Sequence, residues 1–376
     1  MWNSQAVKRI DFRIVPIIIL LMIISLLVIS ANTIPAHDVD ESFFTPAVKR
    51  QIQGFILGIG VFLFLAGFDY NKLREWTWLL YFLMLVALIG LFFTDPIQRV
   101  QRWYRIPLIG MNFQPSEYAK LIVVISLSWF LERRKTQAES LSTACLAGLI
   151  VGIPFILILK QPDLGTALVL FPITLVMFYI GGLHPRVIRL MSTLGMFILI
   201  LVALIFSGII SHEEIKPYAI KVLKEYQFER LDPNTHHQKA AITAIAIGGL
   251  TGSGWHSSAF TGGGFLPAPY TDSVFSAFGE EFGFLGLVCL LALFYALLYF
   301  SFQVTAVAKD HFGRLLSAGI TVYLAMHILV NIGMMCGLLP ITGVPLVLIT
   351  YGGSSSLATM TALGILQSIY SRRFMF

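Results

Sequence analysis

The chain has 376 residues, of which 57% are hydrophobic and 12% charged, with a mean hydropathy of +0.80. A soluble domain carries about 25% charged residues, so this composition excludes an ordinary globular enzyme and points to a protein that lives in a bilayer. The net charge of +6 sits mostly in short connections between apolar runs, which is the positive-inside pattern and not a nucleic-acid footprint, so no nucleic-acid partner is expected.

A hydrocarbon core of about 30 Å needs roughly 20 apolar residues per helix, which gives this chain room for about ten spans and one sizeable loop. In chain order the apolar runs occupy 15–34, 53–68, 76–93, 117–131, 143–160, 164–182, 187–210, 273–303, 315–339 and 344–371. The first follows Lys8, Arg9 and Arg13, but it is too long for a signal-peptide core and reads as a retained span. Lys72 and Arg74, Arg133 to Lys135, Arg186 and Arg189, Lys309 and Arg314, and Arg372 and Arg373 fall in every second connection. That alternation predicts cytoplasmic N- and C-termini and assigns the other connections to the outer face. The predicted fold is an all-α polytopic membrane protein with about ten transmembrane helices, forming one integral membrane domain over residues 1–376. A long, partly helical extracytoplasmic loop, residues 211–272, joins the seventh and eighth spans.

One outer connection disobeys the charge rule, because Arg99, Arg102 and Arg105 lie between the third and fourth spans. Basic residues so placed face either an anionic ligand or lipid headgroups. The long loop has structure of its own: His212 to Arg230 reads as an amphipathic surface helix, and His237 to Leu250 as a second helical segment. The adjacent His236 and His237 diverge by about 100° on a helix and are expected to face solvent. Cys145, Cys289 and Cys336 lie far apart in apolar runs, which argues against a disulfide or a zinc site.

The loop ends in Gly262-Gly263-Gly264-Phe265-Leu266-Pro267-Ala268-Pro269-Tyr270-Thr271-Asp272-Ser273-Val274-Phe275, leaving a carboxylate, Asp272, at the membrane boundary. Thr271 is the expected N-cap of the following helix. Asp272 then either complements the helix dipole or serves as a base. Glu280 lies about 80° around that helix from Asp272 and about 12 Å deeper, and Glu281 points away, so the three cannot share a ligand. Glu280 reads as a buried partner of an Arg or Lys from another helix, or as a functional intramembrane charge.

Gln114-Pro115-Ser116-Glu117-Tyr118-Ala119-Lys120 opens the fourth span. Glu117 and Lys120 at i,i+3 form a local ion pair, or Lys120 joins Arg102 on a phosphate-bearing headgroup. Lys160-Gln161-Pro162-Asp163-Leu164-Gly165-Thr166 interrupts the next two spans with polar groups, a break tolerated only where it is buried or lines a cavity. Tyr351-Gly352-Gly353-Ser354-Ser355-Ser356 suits a close helix contact with hydroxyls bonding between helices. Walker, GxSxG, HExxH and GxGxxG motifs are missing from the sequence, which removes support for ATP-driven transport and for soluble-type hydrolysis.

Arg102-Trp103, Gln114-Pro115-Ser116-Glu117, Gln161 to Thr166, the Thr271-Asp272 stretch with Phe275, Gly279-Glu280-Glu281-Phe282-Gly283, Gly337 to Pro345 and Tyr351 to Ser355 occur in an order that resembles the SEDS family (shape, elongation, division and sporulation). Length and the segment His237 to Trp255 make the chain more similar to the RodA-like elongation branch than to the division branch. The resemblance implies a ten-helix peptidoglycan glycosyltransferase that polymerises lipid II on the outer face of the bacterial cytoplasmic (inner) membrane. It implies as partners lipid II and the growing lipid-linked glycan, a class B penicillin-binding protein, elongation-complex membrane proteins and membrane lipids. The family's essential aspartate falls on Asp272. Ala268 and Tyr270 stand where the family usually has Glu and His, and Val347 and Thr350 where it usually has Pro and Ser.

The expected chemistry is attack of an acceptor sugar hydroxyl on a donor held through diphosphate to a polyprenyl lipid, with inversion and one base, Asp272. Arg102, Lys120, Glu117, Lys160, Asp163 and Glu280 are the expected substrate-binding residues. A divalent cation, Mg or Mn, is expected to help neutralise the leaving diphosphate, its ligands being unassigned, and no organic cofactor is expected. A flippase for the same lipid is the competing reading; it needs polar groups along a central path, whereas these gather on one face.

Overall fold

The computed structural model describes residues 2, 7–33, 43–95, 101–106, 111–219 and 228–373. Its helices are α1 Ile14–Ala31, α2 Pro46–Gly67, α3 Asn71–Gly90, α4 Pro115–Arg133, α5 Leu141–Lys160, α6 Leu164–Ile180, α7 Pro185–Phe206, α8 His212–Ala219, α9 His236–Gly248, α10 Ala259–Gly262, α11 Val274–Val307, α12 His311–Met335 and α13 Gly353–Ser371. A short antiparallel hairpin, β1 Tyr104–Ile106 and β2 Met111–Phe113, stands between α3 and α4.

Among the described residues seven helices are long and apolar enough to cross a membrane: α1, α2, α3 with its following 3₁₀ turn, α5, α7, α11 and α12. The most enclosed helices are not the most apolar. α4 holds Glu117, Lys120 and three buried serines and threads the centre, packing on α3, α5, α6 and α12. α13 lies along α2 and buries Thr359, Gln367 and Ser368. Polar side chains are tolerated there because neighbouring helices supply the hydrogen bonds that lipid cannot. α7 is the opposite case, with Ile205 its one buried residue.

Local sequence explains the boundaries. Thr45 accepts from Val48 N ahead of Pro46, Ser140 from Thr143 N, Asp163 from Thr166 N, His184 from Arg186 N and Thr235 from Gln238 N, so five of the described helices begin on a side-chain cap.

Polar contacts gather at two ends of the bundle. At one end Arg13 donates to Gln303, Arg74 contacts both Glu132 and Asp310, and Arg372 approaches Asp69 at 3.7 Å. These are the connections the charge rule assigned to one side. At the other end lie Arg102, Gln114, Asp163, His237, Asp272 and the segment after α12. Arg99 and the acidic run His37 to Glu41 fall outside the described residues, as does the 220–227 part of the first loop helix.

Two expectations change. The last apolar run does not form one helix over 344–371: residues 336–352 are irregular, and α13 starts at Gly353. Pro345 removes a donor, Gly343 takes φ +78° and Gly352 precedes the helix, so the apolar Val344, Leu346, Val347 and Ile349 are buried without being helical. Second, α11 is broken at Gly283 (φ 63°, ψ −166°). The loop after α9 fills the break: Ser253 N and Gly254 N donate to Glu280 O and Glu281 O, while Phe284 N and Leu285 N donate to Gly249 O and Leu250 O. Backbone freed by the kink is thus satisfied within the protein, as the bilayer demands.

Candidate active site

Three lengths of backbone meet around Asp272. The turn leading in is closed by Thr271 N and Ser273 N, which both donate to Ala268 O at 3.2 and 3.1 Å. α11 leads out, starting at Val274. The irregular segment 336–352 crosses opposite: Tyr351 N donates to Tyr270 O at 2.9 Å and Thr350 Oγ1 to Thr271 O at 3.1 Å. Asn331, one turn before the end of α12 and 0% exposed, donates from Nδ2 to Asp272 O (3.2 Å) and to Val344 O (2.8 Å). Gly343 backs the carboxylate, since a Cβ there would lie 3.5 Å from Asp272 Oδ2.

The capping expectation is corrected by this geometry. Ser273, not Thr271, occupies the N-cap position, and it makes no side-chain cap. Its hydroxyl is instead 2.7 Å from His237 Nε2. Thr271 Oγ1 turns back to Ala268 O. Asp272 is half-buried, and no hydrogen bond from another described residue reaches its carboxylate. Burial pushes its acid above the ordinary carboxylate range, and the charges of His237, Arg230 and Arg102 pull it part of the way back. Burial in turn lowers His237 below the ordinary imidazole value, opposed by Asp272.

The sequence reading missed His237 and Arg230. His237 does not face solvent; it is half-buried over Ser273, and only His236 is exposed. A signal existed, because His237 is one turn before Ala241 on the face that also buries Ala244 and Gly248. Arg230 reaches Thr342 O at 3.4 Å, a partner nearly a third of the chain away that no local pattern reveals.

Arg102 and Lys120 are engaged by separate protein partners. Arg102 is half-buried and donates to Gln161 O and Pro162 O, while its charge is felt at Asp272. Lys120 is 1% exposed and donates to Glu117 Oε1 at 2.8 Å, with His327 Nε2 at 2.7 Å and the Tyr323 ring 5.4 Å away. An ammonium has only donors, so Nε2 accepts and the ring proton sits on Nδ1, which donates to Pro345 O at 3.1 Å. The Glu117–Lys120 pair is therefore tied through His327 to the segment that flanks Asp272.

Asp163 is a hub. Besides capping α6 through Thr166 N, its Oδ2 accepts from Thr166 Oγ1, Ser116 Oγ and Gln114 Nε2 at 3.0, 2.9 and 3.3 Å. Gln114 also accepts from Trp103 Nε1, and its backbone N donates to Ser354 Oγ. The motifs around 102, 114, 161 and 354 thus converge on one node. Lys160 is exposed at the end of α5. Glu280 does not meet Asp272, nor does it pair with a cation: it accepts from Phe260 N, Thr261 N and the Thr261 hydroxyl, holding α10.

Among the described residues no group of three His, Cys, Asp or Glu is arranged to hold a metal ion. Around Asp272 the donor set is one carboxylate and one imidazole, with two guanidinium groups nearby, which does not fit a cation held by the protein alone.

A family model described as cell cycle protein, FtsW/RodA/SpoVE, matches residues 12–373. The chain belongs to this family. It is 30% identical to the peptidoglycan glycosyltransferase MrdB of Escherichia coli K12 over 358 residues, covering 95% of this chain and 93% of that protein. It is 33% identical to MrdB of Helicobacter pylori 26695 (89% and 86% covered), and 31% identical to stage V sporulation protein E of Bacillus subtilis (96% and 98%). A chain of the structure described as "Structural coordination of polymerization and crosslinking by a peptidoglycan synthase complex" superimposes with a TM-score of 0.76 at 26% identity, covering 98% of this chain and 99% of that one. Thermus thermophilus RodA gives 0.70 at 25% identity, with 98% of both covered. As a member of the FtsW/RodA/SpoVE family the protein is a multi-pass membrane enzyme of the peptidoglycan glycosyltransferase class.

Proposed function

We propose that this protein polymerises lipid II into glycan strands, with Asp272 as its general base. The observation that carries the reading is a half-buried carboxylate with no hydrogen bond from the described residues, raised above the ordinary acid range, within the field of Arg102, Arg230 and His237. Such a group can take a proton from an acceptor hydroxyl because neither a cap nor an ion-pair contact has claimed its lone pairs. The hydroxyl oxygen then forms a bond to the donor's anomeric carbon, the bond to the diphosphate oxygen breaks with inversion, and the proton ends on Asp272. The diphosphate leaves as an anion, for which Arg102 and Arg230 supply fixed positive charge. Lys120, Glu117, Asp163 and Glu280 are enclosed hubs, and their part in substrate binding is to hold the walls of the site in place. Lys160, exposed at the end of α5, can meet a headgroup directly.

In this reading about ten helices span the bacterial inner membrane as one domain, with cytoplasmic termini and Asp272 on the outer face. A class B penicillin-binding protein is the partner that crosslinks the product, and elongation is the process served, in line with the likeness to MrdB and RodA. Mg or Mn enters as counter-ion to the substrate's diphosphate, and no step above runs through it.

The test uses purified protein with labelled lipid II, with and without a partner and with Mg or Mn titrated, beside an Asp272→Asn variant. Loss of at least about 100-fold in polymerisation is expected for the variant. A variant that polymerises at the wild-type rate refutes the base, and lipid movement across vesicles without polymer would favour a flippase.

A further inference from the structure

The end of the bundle remote from Asp272 carries a second built feature. Arg13 donates to Gln303, near the far end of α11. Thirty-one residues of mostly helical chain separate Asp272 from that glutamine, roughly 45 Å at 1.5 Å per residue. A groove of about 660 Å³ lies there between the start of α1 and the end of α13, lined by Lys8, Arg9, Asp11, Phe12, Tyr370 and Arg373. Nothing in the proposed glycosyl transfer uses it.

Its charge is one-sided. Lys8 and Arg9 are exposed, and Arg373 is half-buried with its guanidinium stacked 3.6 Å over Tyr370. The one carboxylate, Asp11, is already satisfied. Both of its oxygens are gripped by Arg13 at 2.8 and 2.7 Å, and although burial pushes its acid up, those bonds hold it below the ordinary carboxylate range. A backbone bond from Asp11 N to Gln367 Oε1 at 2.7 Å fixes this arrangement against α13. Arg373 adds its charge to the field that holds Asp11 and donates to Tyr370 O at 2.8 Å. Among the described lining residues the cations Lys8, Arg9 and Arg373 outnumber this single carboxylate, so the groove presents positive charge on a rigid floor.

The rim says what kind of anion fits. Phe12, which lines the groove, is 63% exposed, and α1 enters its membrane-length run two residues after it. Large aromatic side chains beside basic residues at the mouth of a span mark the headgroup layer, where their rings meet lipid and the cations meet phosphate. We propose that this groove binds the phosphate of an anionic phospholipid headgroup, with Lys8, Arg9 and Arg373 as its ligands and Phe12 against the acyl chains. The shared chemistry is a phosphate oxyanion; the aromatic rim is the reason for assigning it to lipid and not to free phosphate.

The experiment is native mass spectrometry of the full chain released from nanodiscs that contain phosphatidylglycerol and phosphatidylcholine of identical acyl chains. Wild type is expected to retain phosphatidylglycerol selectively. Each basic residue near a headgroup is worth about fivefold, so a Lys8→Gln, Arg9→Gln, Arg373→Gln triple variant should retain it about 100-fold more weakly. An Arg186→Gln, Arg189→Gln variant, altered at two exposed cations elsewhere, should retain it as wild type does. Thermal unfolding of the triple variant within a few degrees of wild type shows that lost retention is not lost fold; the single variants are read in its place if it unfolds early. Equal retention of the two lipids, equal retention by the triple variant, or equal loss in the distant double variant overturns the site. Displacement of the lipid by inorganic phosphate at matched concentration overturns the lipid assignment in favour of a soluble phosphate.

Discussion

His327 makes two bonds that can be separated, and the separation tests whether the buried ion pair acts on the site through it. Its Nε2 accepts from Lys120 and its Nδ1 donates to Pro345 O. In a His327→Asn variant the shorter amide reaches the place of Nδ1 and keeps the bond to Pro345, but Lys120 loses a partner. A hydrogen bond to a buried charge is worth about 1.5–3 kcal/mol, so this variant should be the less stable in thermal unfolding. A His327→Gln variant places its amide near Nε2, keeps Lys120 satisfied and releases Pro345, a neutral bond worth about 1 kcal/mol. Pro345 lies in the segment whose Gly343 backs the Asp272 carboxylate, so the Gln variant should lose the more kcat in lipid II polymerisation while KM changes little. The two assays should therefore rank the variants in opposite order. If the Asn variant were the slower enzyme, or if both fell together in rate and stability, the link from Lys120 through His327 to Asp272 would be refuted.

Arg230→Gln removes a charge that favours the Asp272 carboxylate. The acid of Asp272 then rises further, so the acidic limb of the pH–rate profile should move to higher pH, and a limb unmoved or shifted down counts against Asp272 as the titrating base. Gly283→Ala should destabilise by roughly 1–3 kcal/mol or more, because φ 63° with ψ −166° is essentially glycine territory and a Cβ there would stand 2.3 Å from Gly252 N; unfolding in detergent reads it. Asp163→Ala removes the α6 cap and leaves the Ser116 and Thr166 hydroxyls without their acceptor. The expected loss is roughly 1–3 kcal/mol, with polymerisation falling along with it.

Much of the architecture was legible because bilayer physics writes it in long runs. Apolar length and alternating basic connections forecast most of the helices and sorted their connections into two ends that the structure brings together, as Arg13 with Gln303 and Arg74 with Asp310 show. What stayed hidden was irregular backbone inside apolar sequence. The run 344–371 is apolar enough to pass for one helix, and only Gly343, Pro345 and Gly352 hint that 344–352 fold otherwise. Gly283 looks like any helix-contact glycine until Gly252, from a separate loop, is seen pressed against it. At the site, Asp272 was marked by its boundary position, whereas Arg230 and His327 act through partners 112 and 207 residues away, which no spacing rule can anticipate. The Glu117–Lys120 pair was readable from i,i+3 geometry; its third member was not.

The manner in which Asp272 is held has a consequence for how this enzyme can change over time. Residues 270–272 are fastened through main-chain carbonyls, by Tyr351 N, Thr350 Oγ1 and Asn331 Nδ2. A fastening of that kind asks little of the side chains it passes. Tyr270 is held by its carbonyl and adds only an edge-on ring contact with Tyr351, whereas Ala268 sits at φ 51°, where a small side chain is favoured, and Val347 needs only to fill apolar space. Thr350 has less freedom, because its hydroxyl both donates to Thr271 O and accepts from Leu346 N; serine would preserve those bonds and alanine would not. The neighbourhood of Asp272 can thus diversify without moving the carboxylate itself.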